Sequence, residues 1–178
     1  RNLVAAFHAY FSVIFHTLYF ININFDFSKY LSDFAFSLSI GYFLFDIYYI
    51  IKYDKLDILR YMFIYHHFAS IYLLFNNTLI DNTNQLILIA EISNLPSYPI
   101  YHLLHLQNRD DKINTYINLL KLIQKIIYFF IRIILMSNLL VNQIIQLDFN
   151  NNQNFYLAII SIPVYFMGII WTVLLLFG

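Results

Sequence analysis

An all-α membrane protein, a polytopic bundle of six transmembrane helices with a shared polar interior, is what three features of this sequence predict. The 178 residues are 61% hydrophobic and only 11% charged, where a soluble domain carries about twice that charge. At this length surface-to-volume scaling leaves no way to hide so much apolar surface from water. Six apolar runs approach or exceed the roughly 20 residues that a helix needs to cross the hydrocarbon core. Polar residues recur along each run at the helical period, and the runs are too long and continuous for the period-two strands of a membrane barrel.

In order, the expected spans are Leu3 to Ile21, Tyr30 to Ile51, Leu59 to Leu79, Gln85 to Leu106, Ile113 to Ile145 and Phe155 to Phe177. Polar connectors separate them at Asn22 to Lys29, Lys52 to Ile58, Ile80 to Asn84, Gln107 to Lys112 and Gln146 to Asn154. The first span carries His8, Ser12 and His16 on one face. In the second, Asp33, Ser37 and Gly41 share a face, with Ser39 and Asp46 on another. His66, His67 and Ser70 cluster in the third, with Asn77 further along. The fourth aligns Asn84, Glu91, Tyr98, His102 and His105, with a kink expected at Pro96 and Pro99. A fifth line is Asn114, Asn118, Lys121, Lys125 and Arg132, and a sixth is Ser161, Tyr165, Gly168 and Thr172. The fifth run exceeds what a span requires, so Lys121 and Lys125 are expected to snorkel at the interface, the crossing proper beginning near Ile126. Six one-sided helices imply a shared polar interior.

Lys and Arg gather in cytoplasmic loops. Alternating crossings put Arg1, Lys52, Lys55, Arg60, Arg109 and Lys112 on one side and only Lys29 on the other, which predicts both termini on the cytoplasmic face. No Pro/Gly/Ser-rich linker interrupts the run, so one domain, 1–178, is expected. A formal net charge of zero offers nothing for nucleic acid, and without cysteine there is no disulfide, thiolate or sulfur metal site. Arg1 in place of an initiator methionine is the pattern of a processed chain or an excised domain. Three glycines argue against small-residue helix seams and for packing by Phe, Ile, Leu and Tyr. The tyrosine-rich and phenylalanine-rich stretches, Tyr42, Tyr48, Tyr49, Phe129 and Phe130 among them, read as packing and lipid contacts.

Ionisable groups within a membrane cost several kcal/mol unless paired or hydrated, which makes them functional candidates. The deep set is Asp46, His66, His67, Glu91 and Arg132. Helix rise places His66 about 9 Å beyond Arg60 and Asp46 about 9 Å before Lys52, both toward the cytoplasmic half. His66, His67 and Asp46 are the candidate catalytic set: imidazole can take a proton near neutral pH or attack an activated acyl group, and Asp46 can orient it. The plainer reading is a neutral pair hydrogen-bonded in a packed interior. Glu91 and Arg132 are expected to form an internal ion pair, since either charge alone in low dielectric is costlier; alternatively Arg132 faces an anionic head group. With Ser70, Tyr98 and His8 these two make the candidate lipid-binding or substrate-binding set. His102 and His105 lack a third ligand of matching spacing, so no metal is expected.

The order of residues resembles the TLC domain, shared by TRAM proteins, ceramide synthases and the smaller TLC domain-containing proteins. The resemblance covers nearly the whole chain and rests on Arg1-Asn2 then His8, Gly41-Tyr42 then Asp46, Tyr65-His66-His67, Glu91-Ile92-Ser93 with Pro96, Arg132, and Trp171. It implies a six-helix bundle around a lipid-accessible cavity, with the endoplasmic reticulum as the usual address. Ceramide synthases carry His-His-x-x-Thr followed later by His-Asp-x-x-Asp. Here His66, His67 and Ser70 keep the first part with serine for threonine, while Ala90-Glu91-Ile92-Ser93 stands where the acidic motif is missing.

That departure favours a lipid-handling role, in acyl-chain or sphingolipid binding and membrane lipid homeostasis, over acyl-CoA-dependent acyl transfer by the His66-His67 pair. A third reading is a structural subunit of a membrane complex. Membrane lipids and, for the third reading, other membrane proteins are the partners these readings imply. No cofactor is expected, acyl-CoA entering only as co-substrate of a transferase.

Overall fold

The computed structural model describes residues 1–21, 25–76, 83–106, 110–146 and 152–177. Asn77 and Arg109, and parts of four expected connectors, lie outside them. All regular structure among the described residues is helical: α1 (Asn2–Ile21), α2 (Phe25–Tyr53), α3 (Ile58–Phe75), α4 (Thr83–Asn94), α5 (Ser97–Leu104), α6 (Asp111–Tyr128), α7 (Met136–Gln146) and α8 (Asn152–Phe177). A π-helical segment, Phe129–Leu135, joins α6 to α7 without a break.

Three helices are long and apolar enough to cross a membrane: α1, the Lys29–Tyr53 part of α2, and the Phe155–Phe177 part of α8. The protein is a membrane protein with transmembrane helices on that ground. Large apolar side chains are exposed along these helices, Phe7, Phe34, Leu44 and Phe166 among them, as suits a surface solvated by lipid tails rather than water.

Local chemistry sets the helix boundaries. Asp57 caps α3, accepting from the Arg60 amide at 2.9 Å, and Asp110 caps α6, accepting from the Ile113 amide at 2.8 Å. The expected fourth span is two helices, because Pro96 has no N–H to continue the ladder of α4 and its fixed φ instead opens α5. α2 begins at Phe25, inside the stretch expected to be a connector; no glycine or proline there stops it. Lys125 Nζ donates to the Leu176 carbonyl at 3.1 Å, a cation on the C-terminal end of α8.

Neighbouring helices run antiparallel. Phe15 packs on Phe34 and His8 reaches Ser39, which sets α1 against α2. Phe36 meets Phe75 while Phe43 stacks on His67, which sets α2 against α3. Asn94 takes Tyr128 and Ser97 takes Gln124, so the α4–α5 pair runs against α6. The starts of α1 and α3 and the end of α2 thereby meet at one end of the bundle.

Ser12 and His16 are buried with His8 as the α1 stripe predicts. On α2 the buried line is Leu31, Ala35, Ser39, Phe43 and Asp46, whereas Asp33, Ser37 and Gly41 are exposed. In α6, Asn114, Asn118 and Lys121 face outward and Ile117 and Gln124 inward, so only the Arg132 end of that expected line points to the interior. The hydrophobic neighbours decided both cases: each helix buries the face that packs best, and polar spacing alone does not say which face that is.

Ala35 is wholly buried in the α1–α2 region, between Phe34 and Ser39. Ala35→Leu is expected to overpack that seam and cost about 1–3 kcal/mol, read as a lowered unfolding midpoint in detergent. Leu44→Ala, on an exposed position, should leave the midpoint within about 0.5 kcal/mol of the parent.

Candidate functional site

Two polar assemblies occupy the interior, and the adjacent histidines of α3 divide between them. Successive residues on a helix point about 100° apart, so His66 and His67 cannot face the same way. Their ring centroids are 5.5 Å apart, yet His67 turns toward α1 and α2 while His66 lines a cavity.

The first assembly is centred on Asp46, only 2% exposed. Its Oδ2 meets His67 Nε2 at 2.8 Å and Arg1 Nη2 at 3.0 Å, and its Oδ1 accepts from Arg1 Nε at 2.7 Å. Arg1 thus holds the carboxylate in the two-pronged geometry that suits a guanidinium. Its Nη1 also donates to Asp54 Oδ2 at 2.9 Å, and Arg60 Nε pairs with the same oxygen at 3.0 Å. The chain Arg60–Asp54–Arg1–Asp46–His67 ties three helices at one end of the bundle. Phe43 stacks on His67 with centroids at 5.1 Å and the Tyr42 ring meets it edge-on, closing the imidazole in.

The second assembly surrounds a cavity of about 160 Å³, partly open to the exterior. α2, α3, α4, the π-helical segment, α7 and α8 all contribute to its wall. Polar groups come from His66, Ser70, Glu91, Arg132 and Tyr165, and apolar wall from Leu73, Leu86, Ile87, Met136, Leu140 and Val164. Arg132 is 8% exposed and lies at the centre of the π-helical segment, the kind of local irregularity that often accompanies function. It packs over Gly168, where an added Cβ would sit 3.7 Å from Nη1.

The expected Glu91–Arg132 ion pair is not made: no pairing within 4 Å joins them among the described residues. Arg132 instead donates from Nε to Ser93 Oγ at 2.8 Å, and from Nη2 to Asn94 Oδ1 at 3.0 Å and the Ala90 carbonyl at 3.3 Å. Pro96 ends α4 just beyond these groups, so a guanidinium seated there meets the Ser93 and Asn94 side chains and the negative end of the helix with several directed N–H bonds at once. Tyr128 adds a bond to Asn94 at 2.7 Å and lies under the guanidinium at 5.0 Å.

Glu91, 9% exposed, approaches His8 Nδ1 at 3.8 Å, too long for a hydrogen bond. His8 Nε2 is 3.1 Å from Ser39 Oγ, and its ring stacks on Tyr42 at 4.2 Å. His66 meets the edge of Trp171 at 5.5 Å, and its Nδ1 is buried with no hydrogen-bond partner among the described residues.

Of the residues singled out in the sequence, His66, Ser70, Glu91 and Arg132 therefore line the cavity. His67 and Asp46 form the neighbouring ion cluster, and His8 bridges toward Glu91 from outside the wall. Tyr98 lies against Tyr10 at 6.3 Å and is not one of the residues that line the cavity. Arg1 as the carboxylate's main partner, and Ser93 and Asn94 as the seat of Arg132, escaped the sequence reading. A signal for the last two was present, in two polar side chains immediately before the Leu95-Pro96 break. His102 and His105 are exposed on α5, and no group of three or more His, Asp or Glu able to hold a metal occurs among the described residues.

No family model, curated protein or solved structure matches this chain.

Asp46→Ala removes the buried carboxylate that holds both Arg1 and His67, and is expected to cost about 3 kcal/mol or more, the scale of a broken buried pair. His66→Ala removes no hydrogen bond and should cost less than half as much. Unfolding midpoints of the two variants in one detergent test this ranking, and equal losses would contradict the division of the pair.

Proposed function

We propose that this chain is a multi-pass membrane protein of the TLC type, most like the smaller family members around TLC domain-containing protein 4. It binds an acyl chain or sphingolipid in its cavity and influences membrane lipid composition. The observation that carries this reading is the amphipathic cavity: His66, Glu91 and Arg132 form a polar end, and Leu86, Ile87, Met136, Leu140 and Val164 form an apolar wall. Ligand sites are of this kind, mostly apolar with a few polar groups that fix orientation. Its volume, near that of a cavity that admits benzene, suits a head group and the first part of a chain, the remainder lying along the outside of the bundle. Mass spectrometry of lipid extracted from the purified protein tests the reading. A lipid class should be enriched over the membrane average, and Leu140→Trp, which fills the wall, should lower its yield about ten-fold. No enrichment, or equal yield from the variant, would refute it.

Six crossings with both ends cytoplasmic belong to the same proposal. The antiparallel contacts support alternation, and Arg1, Lys52 and Arg60 belong to helix ends at the same end of the bundle; the endoplasmic reticulum rests on the family resemblance alone. The chain has no cysteine, so single substitutions report topology cleanly. Lys55→Cys should react with a membrane-impermeant maleimide from the cytoplasmic side and Lys29→Cys only from the other. Labelling of both from one side would remove the even count.

The 2.8 Å bond between Asp46 and His67 favours a second reading, acyl transfer from acyl-CoA with an oriented imidazole as base. Asp46, though, orients the histidine that does not line the cavity. Labelled acyl-CoA with a sphingoid base decides it: turnover that survives His66→Ala together with His67→Ala excludes the reading.

A further inference from the structure

The cavity is lined by a carboxyl group and a guanidinium that make no ion pair with each other. Glu91 lines it from α4, and its nearest cationic candidate is His8 Nδ1 at 3.8 Å; the Asn94 side chain also neighbours the carboxylate. Arg132 lines it from the π-helical segment with Nε and Nη2 committed to the end of α4. Its Nη1 takes no hydrogen bond among the described residues and lies beside Gly168, itself on the cavity wall. His66 adds a third uncommitted group, with its buried Nδ1 unpartnered.

Each group prefers a different complement. A guanidinium with spare N–H donors binds a carboxylate or phosphate oxygen, and a buried carboxylate binds an ammonium. A ligand with a negative head alone would satisfy Arg132 but meet Glu91 with like charge. A ligand with a positive head alone would do the reverse. A neutral alcohol offers neither an ammonium to the carboxyl group nor an anion to the free Nη1, and so gains from neither. Only a head bearing both charges close together answers the two at once, and the small volume excludes a bulky one.

We propose, resting on the cavity as a lipid site, that it selects single-chain amphiphiles with a compact zwitterionic head, ammonium toward Glu91 and anionic group toward Arg132. The apolar wall of Leu86, Ile87, Met136 and Leu140 takes the start of the chain. Amino-acid and phosphoethanolamine heads share this chemistry.

Probes sharing one hexadecyl chain test the idea on the full protein in detergent. They are α-aminohexadecanoic acid, hexadecanoic acid, hexadecylamine and hexadecanol, with palmitoyl lysophosphatidylethanolamine as the phosphate counterpart. The better-bound zwitterion should outrank the acid, the amine and the alcohol by about ten-fold or more in affinity, and which of the two zwitterions that is names the anion. Glu91→Gln keeps the shape and removes the charge, so the advantage over the acid should shrink to about three-fold or less. If that variant does not fold, the ranking on the parent protein still decides. An acid, amine or alcohol that binds as well as both zwitterions overturns the head-group inference. If Leu140→Trp weakens all probes in that case, the cavity remains the lipid site. Binding of none of the probes, with no lipid co-purifying, removes both readings together.

Discussion

A carboxylate withdrawn from solvent on the second helix sets the geometry of the first three. Asp46 could not remain charged in that interior by itself, and its partners come from separate elements: Arg1 at the start of α1 and His67 in the middle of α3. Through Asp54 the same guanidinium reaches Arg60. Such a cluster gives little stability relative to a well-packed apolar core, but breaking it by removing one member is costly. Register follows from that asymmetry. Sliding α3 against α2 by one turn, about 5.4 Å, would separate His67 from Asp46 and leave the buried imidazole without its carboxylate partner.

On the opposite side a second cation performs the equivalent task by a different route. Arg132 finds no carboxylate partner within 4 Å among the described residues and is instead held by Ser93, Asn94 and the Ala90 carbonyl near the end of α4, where Pro96 has stopped the helix. The break and the π-helical segment face each other across this contact, with Tyr128 on Asn94 and Gln124 on Ser97 extending it. Because the guanidinium is anchored there, Glu91 is left to face the cavity. The polar end of that chamber is therefore a consequence of where Arg132 is seated, on the Ser93 and Asn94 side chains just before the proline break.

These two assemblies give the adjacent histidines separate employments. His67 is a fixed member of an ion cluster, enclosed by Phe43 and Tyr42. His66 borders the open space against Trp171 with a nitrogen uncommitted. Chemistry that needs a carboxylate-oriented base and an accessible one would have to divide the roles between neighbours that point in different directions.

Composition and period were enough to establish a helical membrane protein, because burying this much apolar surface in water is impossible and the polar residues recur at 3.6-residue spacing. They also sufficed for the burial of His8, Ser12 and His16, for the break at Pro96, and for Asp46 as the partner of a histidine. Pairings between distant segments were not legible. The two polar side chains before the Leu95-Pro96 break mark Ser93 and Asn94 as candidates, but the choice between them and Glu91 as the seat of Arg132 depends on how the π-helical segment packs against α4. Nor does any glycine or proline in 129–135 announce the π-helical segment. The buried faces of α2 and α6 likewise required the neighbours to be in place. Local sequence dictates what must be hidden from lipid or water; only packing in three dimensions decides which buried charge meets which, because partners are chosen by distance and geometry that no spacing along the chain encodes.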